Sequence, residues 1–213
     1  MAGRVHLVRH AEAVHNVEKD FSRLDPELTP LGKQQAAALA TTFPYASDIG
    51  VIISSPLRRT IQTTLLAFSD VLDRRYYAQG SGKGIKEGAE LILDPGLQER
   101  SALPCDTGSE SAVLEREFPE LDFSVLKEGW TRKEGGFGAD DEAVEKRAEG
   151  ARRGLKDRVE ALRGGERRDV VVVTHGVFMK FLSGDHSIDL PKAGWKTFST
   201  AEDGKGAVVL VPI

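Results

Sequence analysis

Four consecutive valines, Val170-Val171-Val172-Val173, stand between Asp169 and the tripeptide Thr174-His175-Gly176, and no feature of the chain restricts its fold more. A run that is apolar at every position must bury both faces, as a strand inside a parallel sheet does when helices cover both sides. Two further runs share this design. Val5-His6-Leu7-Val8 leads into Arg9-His10-Ala11-Glu12, and Ile49 to Ile53 leads into Ser54-Ser55-Pro56-Leu57-Arg58-Arg59-Thr60. In open parallel α/β sheets the carboxyl ends of the strands line a common ligand crevice. Three strands are therefore expected to deliver His10, Arg59 and His175 to one rim, and an imidazole beside guanidinium groups is a pairing suited to chemistry on a phosphate.

The intervening sequence supplies the helices that such a sheet needs. Thr29-Pro30 places a capping hydroxyl before a proline suited to a first helical turn, which predicts a helix over Pro30 to Thr42. Leu57, Ile61, Leu65 and Phe68 recur at helical spacing, and a long charged helix is read from Asp141 to Leu162 on Val144, Ala148, Leu155, Val159 and Leu162. The arginines and glutamates of that helix are read as a solvated face. Leu91 to Leu93 reads as a short strand ending near Glu99, Val177 to Leu182 as a short helix, and Ala207 to Val211 as a last strand at or near an edge. Gly80, Gly82, Gly84 and Gly88 mark a surface connection; Gly82-Lys83 is no phosphate loop, because Tyr77 stands where that motif needs its first glycine. The expected fold class is a three-layer α/β/α sandwich with a mostly parallel central sheet.

At 213 residues the chain suits a single domain, residues 1–213, with an excursion at about residues 100–138 that carries Phe118, Phe123 and Trp130 among glycines. That excursion reads either as a substrate-selecting lid or as a loop anchored to the core by its aromatics. A formal net charge of -4 gives no general attraction to nucleic acid or to an anionic membrane, so any anion site must be local. Cys105 is the only cysteine, which excludes an internal disulfide and favours a reducing, cytoplasmic setting. No run is long enough for a spanning helix, and residues 1 to 8 are too short for a signal peptide.

Four motifs occur in order: Arg9-His10-Ala11-Glu12 with Asn16, Ser55-Pro56-Leu57-Arg58-Arg59, Leu97-Gln98-Glu99-Arg100, and Thr174-His175-Gly176. In these the chain resembles the histidine phosphatase superfamily, whose fold is called phosphoglycerate mutase-like. The resemblance implies that His10 is the nucleophile that carries a phosphoryl group, that Arg9, Arg59 and His175 hold the phosphoryl oxygens, and that Asn16 contacts the substrate phosphate, against a plain turn role for that asparagine. It also favours Glu99 as the general acid for the leaving alkoxide, with Glu110 as the alternative. Arg58 is assigned to pairing with an acid on a helix surface. Family motifs usually carry glycine at Ala11 and serine or threonine at Ala13, so one backbone approach and one hydroxyl contact are in question. His15 stands where an aromatic residue is common.

The activity implied is that of a phosphomonoesterase acting on a small phosphorylated metabolite, with no cofactor. No metal is expected: His10 and His175 are far apart in sequence and both match roles that need no ion. A cysteine phosphatase is excluded, since Ser111 stands where the arginine after Cys105 would be required. A phosphoglycerate-type mutase is the enzymatic rival and a non-catalytic phosphate-binding module the other. The presence of both His10 and Glu99 argues against the latter. Substrate identity and oligomeric state are not written in these motifs.

Overall fold

The computed structural model describes residues 3–213; Met1 and Ala2, the first two residues of the expected 1–213 unit, lie outside the described residues. Six strands form one sheet: β1 (Val5–Arg9), β2 (Ile49–Ser54), β3 (Glu90–Leu93), β4 (Asp169–Thr174), β5 (Trp195–Glu202) and β6 (Val208–Pro212), in the order β3-β2-β4-β1-β5-β6. The first four run parallel, and β5 and β6 are antiparallel. β4 lies between β2 and β1, where the valine run required it to be. Its pleat sends Val170 and Val172 into one core cluster and Val171 and Val173 into the other, so both faces of the strand are dry.

Helices cover both faces. Against one pack α2 (Pro30–Thr42) and α3 (Arg58–Ala67) through Leu39, Ile61 and Ala67. Against the other pack α5 (Asp141–Ala161) and α6 (Gly176–Ser183) through Val144, Leu155, Phe178 and Leu182. The architecture is thus the expected three-layer sandwich. At the start of α2 the Thr29 hydroxyl accepts from the Gly32 amide at 2.9 Å, with Pro30 in the first turn. Gly32 is required there, because a Cβ would lie 1.9 Å from the Glu12 carbonyl oxygen. Its absence lets α2 press against the segment that follows β1.

Three features differ from the sequence reading. β5 was not expected, since Trp195-Lys196-Thr197-Phe198-Ser199-Thr200 has no continuous apolar run; it pairs on both sides, with β1 and β6, leaving β6 at the edge. β3 ends at Leu93, six positions before Glu99, and a 3₁₀ turn at Pro95–Leu97 fills the interval. The long helix α5 is not solvated by all its arginines: Arg147 and Arg152 are buried. In the excursion, Phe118, Phe123 and Trp130 are buried with Leu121 and Leu126 in the cluster beneath α2 and α3. They anchor the segment, whose first part, Ser101 to Asp106, lines the crevice described next.

Candidate active site

The strand ends are stitched together by main-chain bonds that outrun the strands. His10 N–H donates to the Thr174 carbonyl at 3.0 Å, Ser55 N–H to the Val173 carbonyl at 3.0 Å, and Asp94 N–H to the Ser54 carbonyl at 2.9 Å. The side chains that follow β1, β2 and β4 therefore start from a fixed frame. His10 and His175 come together, ring centroids 5.2 Å apart, with Arg59 against both.

His10 is buried, and its Nδ1 lies 2.7 Å from the Ala11 carbonyl oxygen. A carbonyl only accepts, so Nδ1 carries the ring proton and Nε2 keeps its lone pair. Burial first, then the charges of Arg59 and Lys192, hold the His10 imidazole well below the usual histidine range. Arg59 Nε stands 3.3 Å from that free Nε2. The rest of the Arg59 guanidinium is held by the protein: Nη1 donates to the Cys105 carbonyl at 2.6 Å, and Nη2 to Asp106 Oδ1 at 2.9 Å and to His175 Nδ1 at 3.0 Å. His175 in consequence carries its proton on Nε2, which faces Ser55 Oγ at 2.8 Å. Both of its nitrogens are committed to protein partners here, and it too sits well below the usual histidine range because of burial and Arg59.

Arg9 reaches the rim from the end of β1, where one of its amino groups donates to Asp189 at 2.9 Å and to the Leu190 carbonyl. Gly176 makes room for it, since a Cβ on that residue would come within 2.9 Å of Arg9 Nη2. Glu99 lies at the start of α6. Its Oε1 accepts from the amides of Arg100 and Phe178, both at 2.8 Å, and its Oε2 from the amide of Val177 at 3.1 Å. Such donors at a helix start complement a carboxylate. Asn16 completes a capping arrangement on the short helix α1 (Val14–Glu18): its Oδ1 accepts from the Ala13 amide at 3.1 Å, and its Nδ2 donates to His15 Nε2 at 2.9 Å. Glu110 stands apart, exposed at the start of helix α4 (Ser111–Glu117) with Thr131 as partner. Arg58 pairs with Glu117 at 2.7 Å, on α4.

These groups open onto a cavity of about 380 Å³ lined by Arg9, His10, Asn16, Arg59 and Glu99, with His15, Asp106 and Lys192 among its walls. Of the six residues expected at the site, His175 alone is not part of the cavity wall; it lies behind Arg59. Four contributors were not anticipated. Asp106 orients Arg59, and Ser101 bonds to its other oxygen at 2.6 Å. Lys192 carries an ammonium group that burial and the nearby Arg9 and Arg59 push down to about 8. Lys133 donates to the Glu99 carbonyl at 2.7 Å and is brought to about 7, chiefly by burial. Arg147, from α5, donates to the carbonyls of Gly96 and Gln98 at 2.9 and 2.6 Å, and so fixes the approach to Glu99. For Arg147 a signal existed: it falls three positions after Val144, on the buried stripe of its helix.

Among the described residues, His15, Cys105 and Asp106 place potential ligand atoms within 4.8 Å of one another. The donor types would suit zinc. The setting opposes it, because Asp106 is engaged by Arg59 and Ser101, burial pushes the Cys105 thiol up to about 11, and Arg59 and Lys192 already make the cavity cationic.

A sequence model of the histidine phosphatase superfamily (branch 1) matches residues 5–206. The chain belongs to the histidine phosphatase superfamily. Among relatives, this histidine phosphatase family member is 30% identical over 155 residues to a phosphoglycerate mutase-like protein of Arabidopsis thaliana, a match covering 58% of this chain and 54% of that one. It is 26% identical over 198 residues to a protein of Schizosaccharomyces pombe named as a probable phosphatase, covering 88% and 83%. The chain thus spans about half the length of the Arabidopsis relative. Among solved structures, the native mycobacterial glucosyl-3-phosphoglycerate phosphatase superposes with a TM-score of 0.61 at 21% identity, over 100% of this chain and 97% of that one, which supports the same phosphoglycerate mutase-like fold.

Proposed function

We propose that this chain is a metal-independent phosphomonoesterase that works through a phosphohistidine on His10. The observation that carries this reading is the contact between His10 Nδ1 and the Ala11 carbonyl: the carbonyl accepts a hydrogen bond from Nδ1–H, and Nε2 is left as a buried nucleophile with Arg59 beside it. Nε2 attacks phosphorus as the bond to the ester oxygen breaks. Arg9 and Arg59 neutralise the equatorial oxygens, with Asp106 and Asp189 holding the two forks ready until the dianion takes their place. His175 backs the clamp by accepting from Arg59 Nη2, and for its Nε2 proton to reach the same oxygens the ring must leave both Ser55 and Arg59 as the phosphate takes up that guanidinium; Asn16 lends its amide from the rim.

Glu99 supplies the proton that the departing alkoxide needs. Its Oε2, which accepts only one amide, has the capacity to carry that proton, whereas Oε1 accepts two. In the second half Glu99 takes a proton back from the water that attacks the phosphoryl group on His10, which returns the enzyme to its starting state. Within the excursion, Ser101 to Asp106 faces the substrate and the aromatic part serves as its anchor. A mutase would use the same phosphohistidine and hand the phosphoryl group to a second substrate instead of water. Names given to relatives support both outcomes, one being mutase-like and another a probable phosphatase.

The test is phosphate release from a panel of phosphomonoesters, with 3-phosphoglycerate followed for isomerisation in parallel. Hydrolysis with an acid-labile, base-stable phosphoryl adduct on His10 is expected. Isomerisation outpacing release makes the chain a mutase; tight phosphate binding with neither reaction makes it a binding module.

A further inference from the structure

Exposed large apolar side chains are ordinary when scattered, yet three of them converge on the cavity that holds His10. Phe21, Leu103 and Val177 are 47%, 48% and 42% exposed, and all three line that cavity. They come from three separate segments. The loops bearing Phe21 and Leu103 are joined by main-chain bonds, Cys105 N–H to the Phe21 carbonyl and Asp25 N–H to the Pro104 carbonyl, both at 3.2 Å. The two side chains therefore belong to one fixed rim. Val177 faces the cavity from the first turn of α6, and its own amide is the one that binds Glu99 Oε2.

That last contact sets a direction. If Oε2 protonates the leaving oxygen, the carbon attached to that oxygen must pass Val177 as it leaves. The floor of the cavity is charged, and on its rim the three apolar side chains stand opposite a polar side that carries Asp189, Lys180 and Lys192.

We infer that the substrate is the phosphomonoester of an apolar alcohol, whose hydrocarbon part covers Phe21, Leu103 and Val177 while its phosphate lies on Arg9 and Arg59. The inference rests on the phosphomonoesterase reading above. The enzyme itself loses little by leaving these side chains half exposed, and the substrate gains by covering them. Each methylene removed from water on the rim raises kcat/KM by about three- to fourfold, until the rim is covered.

The experiment is a series of n-alkyl phosphates from methyl to hexyl, with vanadate inhibition measured on the same samples. The expected result is a steep rise in kcat/KM with chain length, carried mainly by KM, that flattens in the double variant Phe21→Ser, Leu103→Ser. Both positions are surface residues, and the series on the unmodified protein stands even if the variant misfolds. Inhibition by vanadate without any chain-length slope overturns this inference and leaves the phosphate site standing. Absence of vanadate inhibition together with absence of turnover breaks the phosphomonoesterase reading itself. Preference for 3-phosphoglycerate over hexyl phosphate also overturns the inference, assigning specificity to Lys192. So does a dimer in sedimentation that the double variant dissociates, since a second copy of the chain would then be what covers the rim.

Discussion

The parallel and antiparallel halves of the sheet differ in both sequence and duty. β2, β4 and β1 are buried strands whose carboxyl ends lead directly to Ser55 with Arg59, His175 and His10, and the edge strand β3 leads to Glu99 through the turn at Pro95–Leu97. β5 mixes polar with apolar residues and β6, though apolar in sequence, is only partly buried; both end in exposed positions and bring no side chain to the cavity wall. Only the connection before β5 contributes, through Asp189, Leu190 and Lys192. The difference teaches that the candidate site gathers at the ends of the parallel strands, the three innermost of them dry on both faces, while β5 and β6 extend the sheet.

That contrast can be broken most severely at the end of β1. His10→Ala is expected to abolish phosphate release while circular dichroism shows an unchanged fold; turnover near the wild-type level in a folded variant ends the proposed mechanism. Glu99→Gln is expected to slow alkyl phosphates by about 10²- to 10⁴-fold, and an activated aryl phosphate far less. Equal losses on both kinds of ester would make Glu99 a positioning residue. At the end of β4, Gly176→Val pushes a side chain into the Arg9 guanidinium, and kcat/KM is expected to fall by about ten- to a hundredfold from that displacement.

A smaller effect concerns pH. Because the His10 imidazole sits well below 6.5, kcat/KM, corrected for ionisation of the substrate phosphate, is expected to hold as pH falls through 6.5, since the nucleophile stays unprotonated there. Above about pH 8 Lys192 loses its proton and KM is expected to rise. A fall in activity centred on pH 6.5 would show an ordinary exposed imidazole in place of a buried one. The smallest expected effect lies on β6: Val211→Thr should change unfolding free energy by no more than about 0.5 kcal/mol and leave kcat alone. Val172→Ala on β4, by comparison, opens a cavity in a packed cluster and should cost about 2 kcal/mol in a denaturant titration.

Legibility followed the same division. The valine run and the two apolar runs marked β4, β1 and β2 because burial on both faces leaves an unbroken apolar signature, and the residues just after them are adjacent in sequence to what positions them. β5 escaped because Lys196, Thr197, Ser199 and Thr200 interrupt its apolar positions. Asp106, Lys133 and Lys192 escaped for another reason: each enters from a connection whose path depends on distant packing, and nothing local in the sequence aims it at Arg59 or Glu99. Arg147 was hidden by an assumption about charge, since its place on the helix stripe was readable while its type argued for water. The aromatics of the excursion read in sequence as lid or anchor alike, because burial, which the structure gives them beneath α2 and α3, depends on packing against distant elements.

The bond from His10 to the Ala11 carbonyl has a consequence for how this site can vary over evolutionary time. Other groups around it are likewise oriented by main-chain oxygens: Arg59 by Cys105, Arg9 by Leu190, Arg147 by Gly96 and Gln98. A carbonyl cannot be deleted by a point mutation. The bonds contributed at positions 11, 105 and 190 thus do not depend on which side chain stands there; burial constrains Ala11 and Cys105 for packing alone, and a side-chain scan reads that packing and not the carbonyl oxygens. Selection on the machinery that orients this site acts through backbone geometry, where an insertion or deletion of one residue does what no substitution can.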